Sequence, residues 1–333
     1  MKKQHFALIV ISFALALHAQ TAPLKLVQTI ALPPAVKGHF DHFEVDLKGN
    51  RLFATPEGYK SVLVFDLNTG KLLHTIGGIG KSHAVLYRED LNRIYVTDGD
   101  AGDVKIFDGK SYALVSTVKL LEDADSIGYD PTTKYLYVDN GGGDIHQTYS
   151  MLSVVDTTAG KKVADIKIDG DTLEAMALEK SGAKIYVNNK AKNQVDVVDR
   201  EKREVIASWP VTKCKPNVAL GFDEANHRLF VACRDGHLDV FDTRSGKELF
   251  TLPITKGVDD LVYDAASKRI YSAGDGSVDV YAQTDADNYK LLGNVPTGPL
   301  GKTARLVPER HRYFVAVPQN GTKSAKILVF EVL

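Results

Sequence analysis

Two cysteines, three methionines and one tryptophan are all that 333 residues hold of these types. Cys214 and Cys233 form no C-x-x-C pair, so neither a cysteine-based zinc site nor a c-type haem attachment is available. There is no G-x-S-x-G, no Walker loop and no H-E-x-x-H, which removes the usual serine-hydrolase, phosphate-cradle and zinc-protease signatures. Charge of one sign is also lacking: 41 Lys and Arg stand against 42 Asp and Glu. Nucleic-acid binding needs a basic footprint, so that partner class is not expected. After the first twenty residues no run is long and apolar enough to span a bilayer.

The N-terminus does carry an apolar stretch. Lys2 and Lys3 precede Phe6 to Leu17, and Ala19 offers a small residue for cleavage. This reads as an export signal over residues 1–19, too short for a retained span. Cleavage would leave 39 basic residues against 42 acidic, a net charge of −3. The expected mature chain, 20–333, is a single domain, periplasmic or secreted, monomeric and without a membrane anchor.

What the chain has in abundance is one repeated hairpin. The aromatic closing each "R-L/I-Y/F" run falls at Phe53, Tyr95, Tyr137, Tyr186, Phe230, Tyr271 and Phe314. The steps are 42, 42, 49, 44, 41 and 43 residues. A period in the low forties with several strands per unit predicts propeller blades. Each unit reads as an apolar strand, a polar turn, the aromatic strand, a Gly/Asn/Asp loop, a strand such as "VLVFD", and a "TGK"-type turn into a fourth strand. The C-terminal "ILVFEVL" lacks a fourth strand, and "KLVQTI" (Lys25 to Ile30) is a spare copy of one. The expectation is an all-β, seven-bladed β-propeller of four-stranded antiparallel blades, its ring closed by the N-terminal strand in the last blade. Closure removes exposed sheet edges.

The strings "RIYVTD" (93–98), "KIYVNN" (184–189) and "RLFVAC" (228–233), with strands ending in Asp66, Asp108, Asp156, Asp199 and Asp242, resemble the YVTN-family propeller repeat. The resemblance covers essentially the whole mature chain. It implies a seven-bladed exported protein and supplies no catalytic motif to carry over. Blade 6 departs from it at "VDVYAQTDADNYK", and blade 7 has Glu331 in place of the Asp. Quinone-cofactor propellers carry recurring tryptophans, absent here.

In a propeller the first strands line the channel, and the residues leading into them open on one face. Two residues before each first-strand run stand Asp41, His83, Asp125, Glu174, Val218, Asp259 and Thr303, with His39, His42, Asn217 and Asp260 beside them. Carboxylates around a narrow channel repel and call for a cation, a basic partner or protonation. A divalent cation such as Ca²⁺ or Mg²⁺ on Asp41, Glu174 and Asp259 is one outcome; sugar-lactone hydrolase propellers use a similar set. The competing outcome is structural, with acids accepting backbone amides and Lys37, Lys81, Lys213, Lys215, Lys256 and Lys302 neutralising them.

The 49-residue step comes from "DNGGGDIHQTYS" (139–150), read as a lengthened loop on the same face with His146, Gln147 and Tyr149 as contact groups. "DGDAGD" (98–103) lacks the twelfth-position Glu of a calcium loop and reads as a polar turn. Cys214 and Cys233 fall at the same end of blade 5, where a disulfide is feasible but not compelled. Three functions follow. The first is a binding module taking a protein, glycan or small molecule at the channel mouth through Asp41, His83, Asp125, His146, Glu174, Asn217, Asp259 and Asp260. The second is a metal-assisted hydrolase using the acidic ring. The third, ranked last, is a redox accessory beside a cytochrome or copper enzyme.

Overall fold

The computed structural model describes residues 22–333; the expected export signal lies outside them. The chain folds into seven four-stranded antiparallel sheets arranged as a ring. Blade 1 runs Phe40–Asp46, Arg51–Pro56, Val62–Asp66 and Leu72–Ile76; blade 2 runs Ser82–Arg88, Arg93–Asp98, Asp103–Asp108 and Leu114–Lys119. Blades 3 to 6 begin with Ile127–Asp130, Leu173–Leu178, Asn217–Asp223 and Asp260–Asp264. Blade 7 has Thr303–Val307, Arg312–Val317 and Lys326–Val332, and its fourth strand is Leu24–Ala31 from the N-terminus. The displaced strand thus closes the ring, as its spare copy predicts.

The core lies between the blades. The seven repeat aromatics, Phe53 to Phe314, are each at most 2% exposed, and each sits in an apolar cluster drawn from two neighbouring sheets. Phe53, Val62 and Val64 of blade 1 pack on Ile94 and Val96 of blade 2. The repeat aromatic is conspicuous in the sequence because each interface between sheets needs one large filler.

The turn chemistry follows the repeat too. Asp66, Asp108, Asp156 and Asp199 each accept the amides two and three residues on. That is the local bonding that makes Asp a turn initiator. Blade 6 dispenses with this turn: its outer hairpin continues until Asp285 pairs with Asn288. The insertion in blade 3 differs from expectation. The second strand runs on through Asp139 and Asn140 to Gly141, which pairs with Ser150, and a 3₁₀ turn covers Gly142–Ile145. Strand pairing takes up Asp139, Asn140, Gly141, Tyr149 and Ser150 of what reads as loop. No helix among the described residues is long and apolar enough to cross a membrane.

Candidate functional site

The first strands do not run straight into the channel mouth. In blades 1, 2, 4 and 5 their pairing slips between Phe40 and Phe43, Ser82 and Val85, Leu173 and Met176, and Asn217 and Ala219. Asp41, His83, Glu174 and Val218 sit in these slips. A bulge re-aims the side chain it carries, which is how a sheet edge presents a group inward. Second-strand threonines support the irregular backbone: Thr97 Oγ1 accepts the Ala84 amide at 2.8 Å and donates to Asp125 O at 3.0 Å. Thr55 Oγ1 donates to His42 O at 2.8 Å. Asp98, fully buried, accepts the amides of Gly80 (2.7 Å) and Lys81 (3.0 Å) and the Lys105 ammonium. The "DGDAGD" turn therefore fastens the segment that delivers Lys81 and His83.

These residues enclose a chamber of about 170 Å³. Asp41, His83, Asp125, Glu174, Val218 and Asp259 line it, joined by Glu57, Lys81, Arg234 and Lys302. His83 is central. Its Nδ1 donates to Asp41 and lies 3.4 Å from Asp125 Oδ1, while Nε2 has no partner. Burial opposes charge on this ring, but Asp125 and Asp41 push it up to about 9. His42 bridges Asp41 (3.2 Å) and Asp260 (3.0 Å). Burial again opposes charge there, and Asp41 and Asp260 raise it well above the ordinary histidine value. Burial works against the Asp41 charge, yet His42, His83 and Lys81 hold its carboxyl below the usual range. Asp125 goes the other way: burial, then the neighbouring charges of Asp41 and Glu174, lift it to about 7.

The far wall is paired. Asp259 contacts Arg234 at 2.8 Å and Lys302 at 3.1 Å, and Glu174 contacts Lys190 at 2.6 Å. Burial raises Glu174 even so, with Lys190 pulling it back. Glu174 and Asp259 are thus committed to lysine and arginine, and they do not gather with Asp41. The groups whose ligand atoms fall within 4.8 Å of one another at the mouth are Asp41, His42 and Asp125, and His83, Asp123 and Asp125.

Other expected contact residues lie elsewhere. Asn217 is buried and donates to Asn188 Oδ1 and Gln194 O, a bond between blades rather than a lining group. Thr303 donates to Phe40 O, fastening blade 7 to blade 1. Asp260 lies deeper, facing a second chamber of about 190 Å³ beyond His42. His146, exposed at the end of the 3₁₀ turn, does not line the mouth chamber. Of the six lysines expected on these loops, Lys81 and Lys302 line it. Cys214 and Cys233 are joined by a disulfide, with Cα atoms 5.8 Å apart.

Glu57, Lys190 and Arg234 are not in the column that leads into the first strands. All three come from the connection between second and third strands, which opens on the same face. Reading that second column down the repeat would have found them.

No known family model matches the chain. It is 34% identical to the uncharacterized protein YncE of Salmonella typhi over 119 residues, 35% of this chain and 33% of the relative. The match spans about a third of that relative's length. Subunit 3 of the THO complex of Arabidopsis thaliana is 20% identical over 267 residues, covering 78% of this chain and 79% of the subunit. Among solved structures, a chain of the mitotic checkpoint complex superposes with a TM-score of 0.74 at 12% identity, covering 100% of this chain and 99% of that one. A chain of Kuenenia stuttgartiensis hydrazine synthase gives 0.72 at 15%, covering 97% and 100%. At these identities the structural likeness establishes the seven-bladed propeller fold.

Proposed function

We propose that this chain is an exported propeller of the YVTN type, acting as a binding module whose ligand seats in the mouth chamber. The observation that carries it is the pairing on the far wall. Arg234 and Lys302 on Asp259, and Lys190 on Glu174, place donors and acceptors of both signs around one small polar chamber on a rigid ring. Such a wall suits a polar ligand, or the polar end of a protein or glycan, that brings hydrogen-bonding groups of its own. A likeness to propeller subunits of protein assemblies is consistent with protein partners. Export rests on the Lys2–Ala19 leader, and a monomer is the expected state.

The test is affinity capture from a periplasmic or culture-fluid extract, in parallel with a glycan array, using the mature protein and an Arg234→Ala/Asp259→Asn variant. A partner or glycan held by the wild type and lost by the folded variant supports the reading. Identical capture by both, or sustained hydrolysis of lactones by the isolated wild type, overturns it.

A further inference from the structure

We infer that Asn320 is a site of spontaneous covalent modification: attack by the Gly321 amide turns its carboxamide into a carboxylate on the mouth face of blade 7. The inference is independent of the ligand reading above. The sequence holds two Asn-Gly pairs, Asn140–Gly141 and Asn320–Gly321. Glycine leaves its own amide unhindered and lets the backbone swing toward the preceding side chain. By local sequence the two pairs are equivalent. The fold separates them.

Asn140 is locked. It is 3% exposed and lies in the second strand of blade 3. Its Nδ2 donates to Val138 O at 3.0 Å and to Ser153 Oγ at 2.8 Å, and its Oδ1 accepts the Leu121 amide at 3.1 Å. The Gly141 amide, the group that would attack, donates to Glu122 O at 2.7 Å. Carboxamide and nucleophile are thus held by separate partners, and reaction there requires the strand to open first.

Asn320 is presented to solvent. It sits in the connection between Arg312–Val317 and Lys326–Val332, where residues 320–324 are all exposed. Asn320 and Lys323 exchange both backbone bonds of a tight turn, at 3.0 Å each, and the Gly321 amide takes part in neither. Gly321 has φ 58°, and a Cβ built on it would meet nothing within 4 Å. No packing opposes the rotation that brings the Gly321 nitrogen onto the Asn320 side chain.

In the first step the Gly321 nitrogen loses its proton and bonds to Asn320 Cγ, and ammonia leaves, closing a cyclic succinimide. Water then adds at one of the two ring carbonyls. Breaking the new bond to Cγ gives aspartate. Breaking the original peptide bond instead leaves the chain running through Cγ, as isoaspartate. Either way ammonia is released, one water is consumed and a neutral side chain becomes an anion. The same connection brings Glu57 and Arg234 to the mouth chamber in blades 1 and 5, so the new charge arises on that face.

The mature protein is held in warm, mildly alkaline buffer, which favours loss of the amide proton, and is followed by isoelectric focusing and peptide mapping. An added negative charge is expected, with both aspartate and isoaspartate at position 320. In the folded protein Asn140 should convert at least about tenfold more slowly, because its strand must open first. In urea the two sites should convert at comparable rates. Asn320→Gln should block the charge change, and Gly321→Asp, which tolerates the left-handed turn, should slow it several-fold by crowding the amide. An unmodified Asn320 in folded protein, under conditions that convert the unfolded chain, overturns the inference. So does equal conversion of Asn140 and Asn320 in the folded protein. Aspartate at position 320 without isoaspartate also overturns it, since that outcome means direct hydrolysis rather than attack by Gly321.

Discussion

Lys25 and Glu331, from opposite ends of the chain, stand directly across from each other in the outer strand pair of blade 7. The pairing runs from Leu24 opposite Val332 to Ala31 opposite Lys326, with a bulge between Leu26 and Gln28. That one extra residue flips the side-chain parity. Leu24 accordingly packs into the cluster shared with blade 6, and Ile30 into the one shared with blade 1. One strand so joins both neighbouring interfaces.

Deleting residues 22–31 should therefore abolish cooperative unfolding of the whole ring, not merely trim one blade. The milder Ile30→Ala change should cost about 2–4 kcal/mol, the usual range for truncating a buried aliphatic residue. Calorimetry of the mature protein checks both. A deletion variant with an unchanged melting transition would show that the ring closes without this strand.

Blade 1 is clasped to blade 2 by Arg51. Its guanidinium contacts Asp46 at 2.8 Å, donates to the Gly109 carbonyl, and lies 4.9 Å from the Tyr87 ring centre. Arg51→Met should cost about 3–5 kcal/mol, because the buried Asp46 charge loses its cation and keeps only the Gly49 amide. Adding Asp46→Leu should recover much of that loss, since an apolar pair needs no desolvation of charge. Equal stability of the single and double variants in denaturant titrations would contradict this account.

Repetition is what made the fold legible. The seven aromatics and the spare "KLVQTI" strand specify blade number and closure, because every blade faces the same packing problem. Repetition also aligned Asp41, His83, Asp125, Glu174 and Asp259 at one height, and all five line the mouth chamber. What stayed hidden depends on pairing across blades. Arg234 and Lys302 reach Asp259 from blades 5 and 7, and no spacing within one repeat announces that meeting. Asp123 was passed over because it stands two residues before the column read. Asn217 looks like a site residue in sequence only because a buried amide bonding between blades has the same chemistry as one bonding a ligand.

The disulfide between Cys214 and Cys233 closes a short segment, the two residues being 19 apart in sequence. Loop-closure entropy for such a span predicts that reduction costs about 3 kcal/mol. Both cysteines are buried, so replacing them with serine adds a desolvation penalty to the lost cross-link. The oxidised protein should have an intact mass two hydrogens below the dithiol form, and a reductant should lower its unfolding midpoint. Two free thiols in protein purified from an oxidising compartment would refute the prediction.

Asp239, in the third strand of blade 5, sets a pH dependence far from the mouth. It is completely buried, and its carboxyl oxygens have no partner while ionised. Burial, and then the neighbouring Glu248 carboxylate, raise it to about 8. Glu248 is held low: burial opposes its charge, but the Asp239 side chain and the Thr212 and Lys213 amides outweigh it. The shared proton therefore sits on Asp239 and points at Glu248. Between the ordinary value of 3.8 and about 8 the folded chain holds a proton that the unfolded chain has released. Stability must then fall as pH rises through that window. Asp239→Asn supplies a permanent donor in the same place, so the variant should lose this component of the slope. At pH 8 it should be the more stable protein by on the order of 1–2 kcal/mol, the penalty for a buried group left without its hydrogen bond. Urea titrations of both proteins across the window decide it: parallel stability curves would mean that Asp239 is ionised throughout and that Glu248 does not share its proton.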